Sequence, residues 1–143
     1  MMNGRAKAPT HLWIVGILSL LWNCFGVADY ILSQTRNEAW LANFTAEQRA
    51  FIDSFPAWME ACWAFGVWGA LLGSILLLAR SRFAVAAFAV SLAGLAAATA
   101  GQYAVLEAPA MSGVEWGMTA AIWVIEIALL YYATRMRARG VLG

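Results

Sequence analysis

Apolar side chains fall along this chain in four long blocks separated by short polar breaks. The first runs from about residue 12 to 33 and is interrupted by Asp29. The second covers about 58–79 and the third about 83–105. The fourth covers about 116–134 and is interrupted by Glu126. Each approaches the roughly 20 residues that an α-helix needs to cross the hydrocarbon of a bilayer. The pattern predicts an all-α fold: an integral membrane four-helix bundle forming a single transmembrane domain over residues 1–143. The first block, preceded by Arg5 and Lys7, has the flanks of a signal peptide. It is too long for one, lacks a small-x-small exit, and is followed by further spans, so it is read as a helix.

Between the first two spans lies a loop over residues 35–56. Thr45-Ala46-Glu47-Gln48 matches a capping box, in which the first side chain and the fourth satisfy each other's backbone N–H groups. A short amphipathic helix is predicted to start there and to end before Pro56. Phe51, Ile52 and Phe55 share one face of it, with Glu47, Arg49 and Asp53 elsewhere, and Trp40, Leu41 and Phe44 add apolar mass just ahead. Such a helix lies flat on the outer leaflet or caps the bundle. Asn43-Phe44-Thr45 matches a glycosylation sequon, a pattern common by chance.

Composition agrees with the spans. Hydrophobic residues make up 63% of the chain and charged residues 12%. A soluble domain of this size would have too little interior to hide that much apolar surface. No basic tract suggests nucleic acid, and no metal-ligand cluster or cofactor motif is present. Cys24 and Cys62 lie in different spans with no CxxC and no nearby His, and are read as packing residues.

Charge placement predicts orientation. Arg5, Lys7, Arg80, Arg82, Arg135, Arg137 and Arg139, seven of the nine basic residues, fall at one end of the spans. Arg36 and Arg49 fall at the other. Basic residues concentrate on the cytoplasmic side, so both termini are expected there. None of the eight acids lies in the segments assigned to that side. Trp13, Tyr131 and Tyr132 sit where an inner aromatic belt would be, and Trp40, Trp58 and Trp116 where an outer one would be.

The turn Arg80-Ser81-Arg82 forces spans two and three to be antiparallel neighbours. Their facing surfaces carry small residues: Gly66, Gly69 and Gly73 in span two, and Ser91, Gly94, Ala98 and Gly101 in span three. Small residues let helix backbones approach closely in lipid. The face is read as packing within the bundle, with dimerisation as the alternative.

Ionisable groups inside a span are costly and therefore mark candidate function. Glu126 lies near the middle of span four, and no Lys or Arg lies at its depth. An ionised carboxylate there needs a cation or water, so Glu126 is expected to keep its proton or to face a wet cavity. Asn23 lies at the same depth in span one and could pair with it. Asp29, about 9 Å further out at the helical rise, lies at the edge of the face shared by Asn23, Gly26 and Tyr30. Glu60 enters near the outer end of span two, and Gln102 and Tyr103 near the outer end of span three. All lie between the midplane and the outer surface. They are expected to form a polar pocket open to the outside above an apolar plug, or else a set of interhelical hydrogen bonds. His11 is read as interfacial and inert.

The strings Leu21-Trp22-Asn23-Cys24-Phe25-Gly26-Val27-Ala28-Asp29-Tyr30 and Trp63-Ala64-Phe65-Gly66-Val67-Trp68-Gly69, with Gly73-Ser74 following, carry a resemblance. Together they resemble a family of small uncharacterised four-helix bacterial inner-membrane proteins, some of them labelled sugar transporters. The resemblance implies a bacterial inner membrane. In size the chain is also similar to the small multidrug-resistance exporters. Those carry their essential Glu in the first helix, where this chain has Asn23, so that likeness is one of size alone.

Two functions suit these features. One is a small proton-linked solute transporter working as a homo-oligomer, since four short helices rarely enclose a solute path alone. The other is a non-catalytic accessory or assembly subunit that binds another membrane protein. An enzyme is disfavoured, because no nucleophile–His–acid set, thiol pair or metal cluster is present.

Overall fold

The computed structural model describes residues 4–143. Six helices follow one another: α1 (Thr10–Gln34), α2 (Glu38–Leu41), α3 (Ala46–Asp53), α4 (Ala57–Leu78), α5 (Ala84–Ala100) and α6 (Gly113–Ala138). α5 continues into a wide π-helical turn, Gly101–Val105, closed by Leu106 N–H donating to Gly101 O at 3.0 Å. α1, α4, α6, and α5 together with its π turn are long and apolar enough to span a bilayer. The chain is a multi-pass membrane protein built as an all-α four-helix bundle.

Local sequence explains where these helices start and stop. Pro9 and Pro56 stand immediately ahead of α1 and α4 with extended backbones, where their missing N–H groups cost nothing. α3 starts on the capping box of Thr45 and Gln48, and α6 on a second one formed by Ser112 and Glu115. α1, α4 and α6 each end on a residue in the left-handed region: Arg36 (φ 53°), Arg80 (φ 56°) and Gly140 (φ 71°). The N–H groups that follow bond back into the last turn, as in Asn37 to Leu32 O (3.0 Å), Ser81 to Leu76 O (2.8 Å) and Val141 to Met136 O (3.0 Å). Glycine usually fills this position because a Cβ is strained there, yet two of the three are arginines.

α4 is central. It packs against α1 on one side and, more extensively, against α5 on the other, while α6 leans on α5. Gly66, Gly69, Gly73 and Gly94 all lie at the α4–α5 contact. A Cβ at Gly94 would meet Cys62 O at 2.7 Å and Gly66 N at 2.8 Å, so only glycine permits the observed approach. The small-residue face is thus occupied within one chain.

The bundle closes tightly at its arginine-rich end. Leu12, Leu77, Ala84, Phe88, Leu129 and Met136 form the core there. His11 Nδ1 and the Tyr132 hydroxyl are hydrogen-bonded, joining α1 to α6, so His11 is a helix-to-helix tie rather than an idle interfacial residue. After α6 the tail turns inward, burying Val141 and Leu142 in the same core. It is held by Ala6 N–H on Gly140 O (3.0 Å), Gly143 N–H on Arg80 O (2.9 Å) and Arg80 Nε on Val141 O (3.2 Å). The outward side of α6 is loosely covered along its length: Val114, Val124 and Tyr131 are 81%, 65% and 66% exposed, as suits a helix face that meets lipid. Cys24 also faces outward, so it is not the packing residue expected, while Cys62 is half-buried at the α4–α5 contact.

Candidate functional site

The buried polar side chains fall into three separate clusters rather than one pocket. The first joins α1 to α4. Asn23 Nδ2 donates to Ser74 Oγ at 2.8 Å and to Ala70 O at 3.1 Å. Ser74 Oγ donates to Ser19 Oγ at 3.0 Å, and Ser19 Oγ donates to Gly16 O at 3.0 Å. Asn23 therefore does not pair with Glu126, contrary to the expectation from their common depth. The reason is helix order: α1 packs on α4, which takes up the amide, while Glu126 projects from α6 toward α5.

Glu126 forms the second cluster. It is 7% exposed, midway along α6. Ser91 Oγ lies 2.8 Å from Glu126 Oε1 and 2.6 Å from Gly66 O. A serine hydroxyl carries one proton, so it can donate to only one of these acceptors at a time. With Glu126 protonated, its O–H donates to Ser91 Oγ and Ser91 donates to the Gly66 carbonyl. With Glu126 ionised, Ser91 must turn its proton to the carboxylate and release Gly66 O. The other carboxyl oxygen, Oε2, is buried without a hydrogen-bond partner. Among the described residues the one ion pair, Arg36–Asp53 at 2.6 Å, lies in the loop, so no cation compensates Glu126.

Asp29 belongs to a third cluster, at the loop end of α1. Trp40 Nε1 on α2 donates to Asp29 Oδ1 at 3.1 Å, and Ser33 Oγ donates to the same atom at 3.4 Å. Short α2 positions this indole because Asn37 caps it, accepting from Trp40 N–H at 3.0 Å. Tyr30, one residue on, stacks edge-on against Trp63 of α4 with centroids 5.1 Å apart. Phe55 reaches the same indole at 6.3 Å, and Phe51 of α3 stacks edge-on against Phe55 at 5.2 Å. The apolar face of α3 is therefore turned onto the bundle, where it acts as a cap. Gln48 Nε2 of α3 donates to Glu115 Oε1 at 2.5 Å, which ties the cap to the start of α6.

The remaining expected members stand apart. Glu60 is half-buried in the first turn of α4, where a carboxylate complements the positive end of the helix dipole. Gln102 is half-buried in the π turn, and Tyr103 is exposed beside Met111. Among the described residues these groups share no hydrogen bond with one another or with the Asn23, Glu126 and Asp29 clusters. A polar cavity of about 230 Å³ lies instead at the loop end of α1, lined by Ser33, Arg36, Leu41, Arg49, Ile52 and Asp53. Sequence reading missed the three serines, Ser19, Ser74 and Ser91, that satisfy the buried groups. Their signal was weak but present: Ser74 follows Gly73, and Ser91 stands three residues before Gly94 on the same small-residue face. Trp40 as partner of Asp29 had no local signal. Among the described residues no group of His, Cys, Asp and Glu side chains is arranged to hold a metal ion.

No family model matches this chain, and no curated protein or solved structure does.

Proposed function

We propose that the chain is a small proton-linked solute transporter that acts as an oligomer, with Glu126 as its proton-exchanging group. One observation carries this reading: a carboxyl group midway along a spanning helix, 7% exposed, with Oε2 unpartnered and no cation beside it. Holding such a group in a bilayer is costly, and a structural hydrogen bond in a membrane returns only about 0.6 kcal/mol. Gaining or losing the proton reverses the direction of the Ser91 hydroxyl. That exchanges a bond to the Gly66 carbonyl of α4 for a bond to α6, so charge at Glu126 couples to the α4–α5–α6 contact. α6, covered along little of its length, is the element free to respond. The solute path lies between copies, and both termini lie on the cytoplasmic side of a bacterial inner membrane. The seven-to-two basic asymmetry and the resemblance to small four-helix inner-membrane proteins support that placement.

A second reading, a non-catalytic accessory or assembly subunit, is favoured by the uncovered apolar side of α6, which a helix of another membrane protein could fill. The two separate experimentally. Glu126→Gln keeps shape and hydrogen bonding but cannot ionise. In proteoliposomes screened with candidate solutes, wild type should show solute-dependent proton movement and Glu126→Gln should abolish it while folding is kept. Proton movement that survives in Glu126→Gln would refute the assignment. A stoichiometric foreign partner recovered in mild detergent, with no self-association, would favour the accessory reading.

A further inference from the structure

We propose that the lipid-facing furrow between α4 and α5 is a binding site for one anionic phospholipid, with an acyl chain in the furrow and its phosphate on Arg82. The inference does not depend on transport. The furrow encloses about 460 Å³ and runs from Phe65 to Leu76 along α4, facing Phe83 to Val90 on α5. Small residues, Gly69, Ala86 and Ala87, line it together with larger side chains such as Trp68 and Leu72. The close approach that requires Gly69 leaves no side chain there to fill the surface: a Cβ at that position would already lie 3.2 Å from Ser91 N.

Length and charge select the occupant. Leu76 follows Phe65 by eleven residues, which at the helical rise is about 16 Å. One leaflet of hydrocarbon is about 15 Å deep, half the core thickness. The furrow thus has the reach of a single acyl chain and begins at the arginine-rich end of the bundle. At its mouth the Arg82 guanidinium sits 5.2 Å from the centroid of Phe83, whose ring belongs to the furrow wall. Arg82 is exposed and takes part in no ion pair among the described residues. Its neighbour Arg80 is already engaged with the Ala6 and Val141 carbonyls. A free cation at head-group depth above an acyl-length furrow is complementary to a phosphate bearing net negative charge. A second copy of the chain suits the furrow less well. Copies sharing one orientation and related by a two-fold axis would bring their Arg82 side chains together, a like-charge contact.

The test uses full-length protein reconstituted into vesicles of equal parts phosphatidylglycerol and phosphatidylcholine, extracted in mild detergent, with retained lipid counted by native mass spectrometry. Wild type should retain one phosphatidylglycerol per chain, preferred about fivefold over phosphatidylcholine, the ratio that about 1 kcal/mol from one arginine gives. Arg82→Gln should remove the preference. Ala86→Leu, which fills the furrow from its exposed side, should lower retention of both lipids. Arg137→Gln, at the end of α6, should leave the preference unchanged. The proposal is overturned by retention of no lipid, by equal retention of the two lipids in wild type, or by Arg137→Gln lowering the preference as much as Arg82→Gln. A self-dimer that Ala86→Leu dissociates would also overturn it, by assigning the furrow to a second copy.

Discussion

Gly94→Ala adds one methyl group where the backbones of α4 and α5 come closest. The new Cβ would lie 2.7 Å from Cys62 O, 2.8 Å from Gly66 N and 3.2 Å from Phe65 Cβ. Comfortable non-bonded contact begins near 3.5 Å, so the helices must separate by several tenths of an ångström or more. Two of the three atoms are backbone and cannot rotate away. Overpacking of this kind typically costs about 1–3 kcal/mol, and alanine returns up to about 1 kcal/mol through its helix propensity. The α4–α5 contact is the most extensive in the bundle, so the cost should sit toward the upper end, leaving Gly94→Ala about 1–2 kcal/mol less stable than wild type. Gly66→Ala is the control on the facing helix. There the added Cβ would find its nearest neighbours at 3.6–4.0 Å, which is ordinary contact. It should be neutral or stabilising by up to about 1 kcal/mol. Equilibrium unfolding in mixed micelles by titration with a denaturing detergent, followed by tryptophan fluorescence, measures both. Equal stability of Gly94→Ala and Gly66→Ala would refute the derivation, because it would mean that the close backbone approach at Gly94 does not hold α4 to α5.

Other elements yield predictions of the same kind. Asn23→Leu should destabilise the bundle by about 1 kcal/mol, from two membrane hydrogen bonds of about 0.6 kcal/mol each, and the Ser74→Ala, Asn23→Leu double variant should lose less than the sum of the singles. If the losses are additive, the two side chains are not coupled. Leu142→Ala should cost about 2 kcal/mol or more, since Leu142 is 4% exposed in the core at the arginine-rich end; unchanged unfolding would mean that the tail is not part of that core. Arg36→Gly relieves a left-handed arginine, about 1 kcal/mol, and gives up an exposed ion pair worth a similar amount or less. Its stability should match or exceed wild type in salt and lose any salt dependence due to Asp53, whereas a clear loss of stability in high salt would contradict the strain assigned to φ 53°. A periplasm-active reporter inserted at Asn43 should be active and one fused after Gly143 silent, and the reverse pattern would overturn the orientation proposed from basic residues.

Much of this architecture was legible in the chain because lipid imposes a simple rule. Every backbone polar group must be satisfied within its own segment, so long apolar blocks become helices whatever their neighbours do. The capping box at Thr45 and Gln48 was readable for a similar reason, since its partners stand three residues apart. The tight Arg80–Arg82 turn made α4 and α5 neighbours, and glycines at helical spacing marked the sides on which they meet. What the chain alone left open was the rotation and order of the other helices. Depth along a helix follows from residue number, and by depth Asn23 and Glu126 are partners. Which way each points follows from packing, and packing turned Asn23 to Ser74 on α4 and Glu126 to Ser91 on α5. Asp29 found Trp40 because α2 folds back over α1, a contact eleven residues away that no periodicity encodes. Val141 and Leu142 lie beyond the last apolar block, and the left-handed turn at Gly140 carries them into the core. A serine hydroxyl on a small-residue face looks alike in sequence whether it meets lipid, a carbonyl or a carboxyl group. Tertiary structure decides among these, because a hydrogen bond spans about 3 Å and a helix turned by one residue, about 100°, points its side chains elsewhere.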